Sequence, residues 1–133
     1  MIYPQEIYDA STKRMKYLNR EMLHGNAETL VLVLLAENGC HGYRLRQELA
    51  RRSHDYFQMG FGRLYPLLRS MERRRLVTVR CVMVGKSREQ RRYTITARGL
   101  AELRERKCRW RQFCGAMNGI LLAHDDISPG DIS

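Results

Sequence analysis

Near Leu76 the apolar residues of this chain stop recurring every three or four positions and begin to alternate; at Thr96 the helical spacing returns. A period of 3.6 buries one stripe of a helix and a period of 2 buries one face of a strand. One switch in each direction therefore sets a single β-structured segment between helices. From Leu76 to Val84 the residues are largely β-branched, with Val77, Val79, Cys81 and Met83 on one side and Thr78, Arg80, Val82 and Val84 on the other. Gly85 to Gln90 is a polar turn, and Arg91 to Ile95 is the return strand of a β-hairpin with a charged tip.

Helices are expected on both sides. Gln5 to Leu23 carries Ile7, Met15, Leu18 and Met22 on one face and Lys13, Arg14, Lys16 and Arg20 on the other. Ala27 to Glu37 is apolar nearly all round, with Asn26 as its N-cap, and reads as the most buried helix. Asn38-Gly39 ends it, the glycine being free to take positive φ. A short helix from Tyr43 to Arg52 is anchored by Leu45 and Leu49. The next, Arg63 to Arg74, has the stripe Leu64, Leu67, Leu68 and Met71 but contains Pro66. The first four N–H groups of a helix have no partner within it, so proline is tolerated if Gly62 is the N-cap and the helix starts close to Arg63. Thr96 caps a long final helix, Ala97 to Leu122, along which Leu103, Trp110 and Met117 repeat at seven. Leu100, Cys114 and Leu121 fall on the companion positions, and Phe113 and Ile120 widen the stripe.

Three short helices, a hairpin and a long helix are the layout of a winged helix-turn-helix. The fold class is thus mostly α with a β-hairpin. An extra N-terminal helix occupies residues 1–24, the winged-helix domain residues 25–96, a dimerisation helix residues 97–123 and a flexible tail residues 124–133. The 133 residues suffice for one compact core.

Charge points to the partner. From Tyr43 to Arg111 there are 20 basic against 6 acidic residues, a net of +14, while the rest of the chain holds 4 against 8, a net of −4. Only Lys86 and Lys107 of that block are lysines. A basic block within a folded domain is the footprint of a polyanion, and arginine's planar fork suits phosphate and guanine edges. In the winged-helix layout Arg63–Arg74 is the recognition helix. With its leucines inward it turns Arg63, Pro66, Arg69, Ser70 and Arg73 outward, with Tyr65 at the border. The expected contacts with double-stranded DNA are Arg63, Tyr65, Pro66, Arg69 and Arg73, Tyr43 on the preceding helix, and Lys86, Ser87, Arg88, Arg91 and Arg92 around the hairpin tip. The bland alternative for each arginine is a solvated surface charge.

These stretches resemble a family. His41-Gly42-Tyr43-Arg44-Leu45 looks like the "Y-G-Y-E-L" helix opening of PadR-type transcriptional regulators, and Gly62-Arg63-Leu64-Tyr65-Pro66-Leu67-Leu68 like their "G-T-L-Y-P-x-L" recognition helix. Tyr93-Thr94-Ile95-Thr96-Ala97-Arg98-Gly99 is similar to their "Y-x-L-T-x-x-G" exit from the wing, and Trp110-Arg111-Gln112-Phe113 to a "W-x-x-F" on the last helix. The resemblance covers Gly25 to Leu122. It implies a dimeric repressor on a palindromic promoter site, with the last helix making the dimer and, in some relatives, release by a small aromatic effector. Arg63 departs from the small polar residue common in the family. Arg75 departs from the glycine that often ends the recognition helix, and a bulky residue disfavours positive φ, so another turn is expected there.

Apart from the resemblance, an apolar stripe over three heptads exceeds what one small domain covers, which also favours a homodimer. Its expected seam is Leu100, Leu103, Trp110, Phe113, Cys114, Met117 and Leu121, interrupted by Lys107. The alternative is packing of this helix on the domain's own first helices. Trp110 is either an effector-stacking residue or plain interface packing. The N-terminal helix either clasps the partner subunit or adds a basic contact to DNA.

Other classes fit poorly. Cys40, Cys81, Cys108 and Cys114 lack paired zinc-ligand spacing and read as buried or half-buried thiols, so no metal or cofactor is expected. His24, His41, His54 and His124 are scattered, without a nucleophile elbow, phosphate loop or spaced carboxylate pair, which argues against an enzyme. No apolar run approaches the length of a membrane span and Met1–Gln5 lacks a secretory pattern, so no membrane partner and a cytoplasmic location are expected. The reading is a DNA-binding transcriptional regulator; the alternative is a non-regulatory nucleic-acid-binding accessory protein.

Overall fold

A computed structural model describes residues 26–86 and 88–123. The helix expected over Gln5–Leu23, Ser87 at the hairpin tip and the tail from residue 124 onward lie outside the described residues. In chain order the elements are α1 (Ala27–Glu37), β1 (Cys40–His41), α2 (Gly42–Arg52), α3 (Phe61–Arg73), β2 (Val77–Val84), β3 (Arg88–Ile95) and α4 (Ala97–Leu121). The strands form one antiparallel sheet in the order β1-β3-β2. This is a winged-helix architecture followed by a long C-terminal helix.

The core forms where the stripes of α1, α2 and α3 converge on the base of the hairpin. Leu32, Leu35, Leu45, Leu64, Leu68 and Met71 are fully buried there, closed by Val77, Tyr93 and Leu103. Each such leucine contributes about 1.5–3 kcal/mol of burial. Leu103 corrects one expectation: it lies in the domain's own core, only 4% exposed, and is not available to a dimer seam. The first turns of α4 pack across α1, and one turn beyond Leu103 the Arg106 guanidinium closes on Glu28 of α1 at 2.9 Å.

Four local features differ from the sequence-based expectations. Cys40 and His41 pair with Tyr93 and Arg92 as a two-residue strand, too short to leave a periodic signal. Gly39 does not take positive φ. It is small because β3 passes close by: a Cβ there would lie 3.1 Å from both the Tyr93 carbonyl and the Thr94 hydroxyl. The return strand begins at Arg88, not Arg91, since Val84 pairs with Arg88 and leaves a tight loop that Gly85 enters at φ 72°. Cys40 and Cys114 are sheltered to different degrees, but Cys81 and Cys108 are exposed.

α3 is held at both ends in ways the sequence concealed. It begins at Phe61, with Gly60 as N-cap accepting from the Arg63 and Leu64 N–H groups at 3.1 and 3.0 Å. Pro66 therefore sits in the second turn, where it offers no N–H to the Gly62 carbonyl four residues back. At the other end Arg75 does adopt positive φ, 62°. The Arg75 N–H donates to the Glu72 carbonyl and the Leu76 N–H to the Met71 carbonyl, both at 2.9 Å. That pair of bonds is a Schellman termination, with Leu76 buried against Met71. Thr96 ties this turn to α4: its hydroxyl donates to the Arg75 carbonyl at 2.7 Å and accepts from the Gly99 N–H at 3.0 Å.

Candidate nucleic-acid interface

The exposed side of α3 begins with aromatic packing. Gly42, buried at the start of α2, has no side chain, and the Tyr65 ring fills the space within 3.0 Å of where a Cβ would stand. Phe61 stacks on Tyr65 with centroids 5.5 Å apart and on Tyr43 at 6.4 Å. The N-terminal ends of α2 and α3 are thus joined by stacked aromatic rings. Beyond the aromatics, Arg63, Pro66, Arg69 and Arg73 are exposed along one side of α3. Leu64, Leu68 and Met71 on its opposite side are buried.

The structure divides the arginines into two groups that composition merges. Arg44, Arg51 and Arg52 of α2 gather on Glu48, and Arg52 also holds Glu37. Arg74 and Arg106 converge on Glu28, while Arg106 and Arg109 share Glu102. Burial works to raise the Glu28 carboxyl, but the hydrogen bonds from Arg74 and Arg106 outweigh it and hold the group below its ordinary range. Arg74 and Arg106 thereby fasten α1 to the end of α3 and to α4, and Arg52 fastens α1 to α2, while Arg44, Arg51 and Arg109 pair within their own helices. Among the described residues, Arg46 on α2, Arg69 and Arg73 on α3, and Arg80, Arg88 and Arg92 on the hairpin have no carboxylate partner. Arg74 leaves the set of free charges at the end of α3; Arg69 and Arg73 remain in it.

Strand register distributes the hairpin charges. Directly opposed residues of an antiparallel pair share a face. Arg80 opposes Arg92, and Val84 opposes Arg88, so all three arginines stand on the side away from the core. His41, which pairs with Arg92 from β1, joins that row, its ring Nδ1 3.2 Å from the Arg91 carbonyl. Arg91 occupies the other face beside Tyr93, whose phenol is pushed up by burial against the lowering effect of the Arg91 hydrogen bond. The expected contacts Arg88, Arg91 and Arg92 are therefore not one cluster, and Lys86 sits at the turn between the strands. Arg80 and Arg46 join the set without having been expected; alternation about Arg80 is the only signal the sequence offers, and none singles out Arg46.

Along α4 the exposed apolar side chains begin at Leu100, 36% exposed. They resume with Trp110, Phe113, Met117, Ile120, Leu121 and Leu122, which stand 40 to 80% exposed. Cys114 is half-buried among them, and the rings of Trp110 and Phe113 lie 5.9 Å apart. Among the described residues there is no group of His, Cys, Asp and Glu fit to hold a metal ion, and no helix long and apolar enough to cross a membrane.

Comparison with known proteins places this geometry. A PadR family transcriptional regulator of Eggerthella lenta superposes with a TM-score of 0.73 at 28% identity, over 84% of this chain and 96% of that one. A PadR-like transcriptional regulator of Bacillus cereus gives 0.67 at 28% identity, over 76% and 96%. PadR of Bacillus subtilis, solved in complex with operator DNA, is similar in fold at 23% identity and a TM-score of 0.56, over 59% of this chain and 45% of that one. The Transcriptional regulator PadR-like family matches residues 31–105, more than half of the sequence. The chain belongs to the PadR-like family of transcriptional regulators.

Proposed function

We propose that this regulator is a homodimeric repressor that binds a palindromic promoter site. In this reading α3 enters the major groove with Arg63 and Arg69 toward base edges, and the hairpin follows the neighbouring backbone. The observation that carries it is a row of exposed arginines along α3 and the hairpin. Carboxylates pair with the arginines that fasten helices together, whereas Arg69 and Arg73 on α3 and Arg80, Arg88 and Arg92 on the hairpin have no carboxylate partner among the described residues. The operator DNA bound by the Bacillus subtilis relative supports the same assignment.

The dimer is supported by α4. Its second half presents Trp110, Phe113, Met117, Ile120 and Leu121 to solvent over about three turns, roughly 18 Å of helix, and a second copy is the occupant a self-complementary stripe favours. Leu100 and Cys114 belong to this seam; Leu103 does not. Release by a small aromatic effector is carried only by the family resemblance, with Trp110 as the stacking residue. Binding of the purified protein to genomic promoter fragments and to random duplex at about 0.15 M salt tests the function. Selective retention of particular fragments is expected. Equal affinity for random duplex contradicts regulation and leaves a non-regulatory nucleic-acid-binding protein.

A further inference from the structure

Arg46 lies on the exposed side of α2 with its guanidinium carbon 4.9 Å from the centroid of the Phe61 ring. Phe61 in turn stacks between Tyr43 and Tyr65. Four planar groups from two helices thus interlock beside the N-terminal end of α3. The neighbouring Arg44, Arg51 and Arg52 are each paired with a glutamate, whereas Arg46 has no carboxylate partner among the described residues. The guanidinium rests on the Phe61 ring with no carboxylate to occupy its N–H donors, a fork able to grip two oxygens at once. Arg46 and Tyr43 also line an open groove of about 640 Å³ along α2, shared with Arg51, His54 and Asp55.

We propose that Arg46 is a DNA phosphate-binding residue and that Phe61 is its positioning residue, the aromatic stack aiming the guanidinium at the backbone beside the recognition helix. An arginine already immobilised on a ring has less rotamer freedom to lose when it meets a phosphate. Phe61 thus acts on DNA binding through Arg46, a role different from filling the core. The proposal rests on the reading of this chain as a DNA-binding protein.

A random-sequence DNA duplex, titrated over a range of salt concentrations, tests it with the full chain. Wild type that fails to bind this duplex overturns the DNA-binding reading itself, before any variant is compared. With wild type binding, R46Q should weaken affinity about tenfold and flatten the slope of log K against log salt by about 0.9 for each phosphate that Arg46 neutralises. R46K should keep the slope but give up part of the affinity, because a point charge cannot stack and fork together. F61L should weaken binding in the wild-type background and have no further effect in the R46Q background, while F61W should restore it. R46Q that matches wild type in affinity and slope overturns the role of Arg46. F61L that weakens both backgrounds equally overturns the role of Phe61. Because Arg46 is exposed, R46K leaves the fold intact even if F61L does not, and R46K equal to wild type in both measures overturns the stacked fork.

Discussion

Replacing Gly99 by alanine should destabilise the protein, although helix propensity alone says the reverse. Gly99 lies in the first turn of α4, and an alanine inside an exposed helix is worth about 1 kcal/mol over glycine. The Cβ that G99A introduces would stand 2.2 Å from the Leu76 carbonyl oxygen and 2.7 Å from Ile95 Cγ1. Ordinary van der Waals contact begins at 3.4 Å, so the start of α4 must move by about 1.2 Å or the Schellman turn must open. The obstacle is a backbone oxygen that also accepts from the Thr96 N–H at 3.1 Å. Moving α4 therefore strains that bond and the Thr96 hydroxyl bond to Arg75. Two bonds at about 1 kcal/mol each and about 1–3 kcal/mol of overpacking outweigh the propensity gain of about 1 kcal/mol, for a net loss of about 2–4 kcal/mol. Urea unfolding at fixed protein concentration reads it directly, with a fall of roughly 4 °C in Tm per kcal/mol as a second measure. G99A as stable as wild type, or more stable, would refute the close approach of α4 to the end of α3.

Arg75→Gly should act in the opposite direction, since φ 62° costs a bulky residue about 1 kcal/mol that glycine avoids; thermal unfolding should show a Tm a few degrees higher. Glu28 is held below its ordinary carboxylate value of 4.5, so its contribution is complete above that pH and is lost as pH falls through the lowered folded value. E28Q should cost about 1–2 kcal/mol at neutral pH and make unfolding less sensitive to acid below pH 4.5, as measured by urea unfolding across a pH series. Arg80 and Arg92 repel each other across the hairpin, so R80E should raise stability slightly, by about 0.2–1 kcal/mol, while weakening DNA binding at every sequence tested. A fall in stability that accompanies the fall in binding would contradict the backbone role of that row. Trp110→Ser with Ile120→Ser should leave a folded monomer in analytical ultracentrifugation, whereas an unchanged dimer would remove α4 as the seam.

Whatever leaves a period is legible in the sequence. The leucines of α1, α2 and α3 and the alternation at Val77 and Val79 mark the helices and the hairpin base, because burial on one side imposes the spacing directly. A stripe does not say what covers it: Leu103 and Trp110 obey the same heptad, yet one is in the core and the other in solvent. Nor does it reveal distant pairings. Glu28 meets Arg74 and Arg106 from 46 and 78 residues away, and pairings of this kind take arginines out of a broad basic block. The positive φ of Arg75 is hidden because such a backbone is disfavoured on average; two backbone bonds and the Thr96 hydroxyl hold it there. The proline rule alone places the start of α3 too late, whereas stacking of Phe61 favours two further residues of helix ahead of Arg63.

In the proposed function α3 reads base sequence as one half of a dimer. Selection of bound duplexes from a random pool, with wild type and with Arg69→Ala, tests this most directly. An inverted repeat is expected, its half-sites centred about one helical turn or a multiple apart, with Arg69→Ala losing preference at one symmetric pair of positions. A pool with no sequence preference, or Arg69→Ala weakening all duplexes alike with the preference intact, would contradict it.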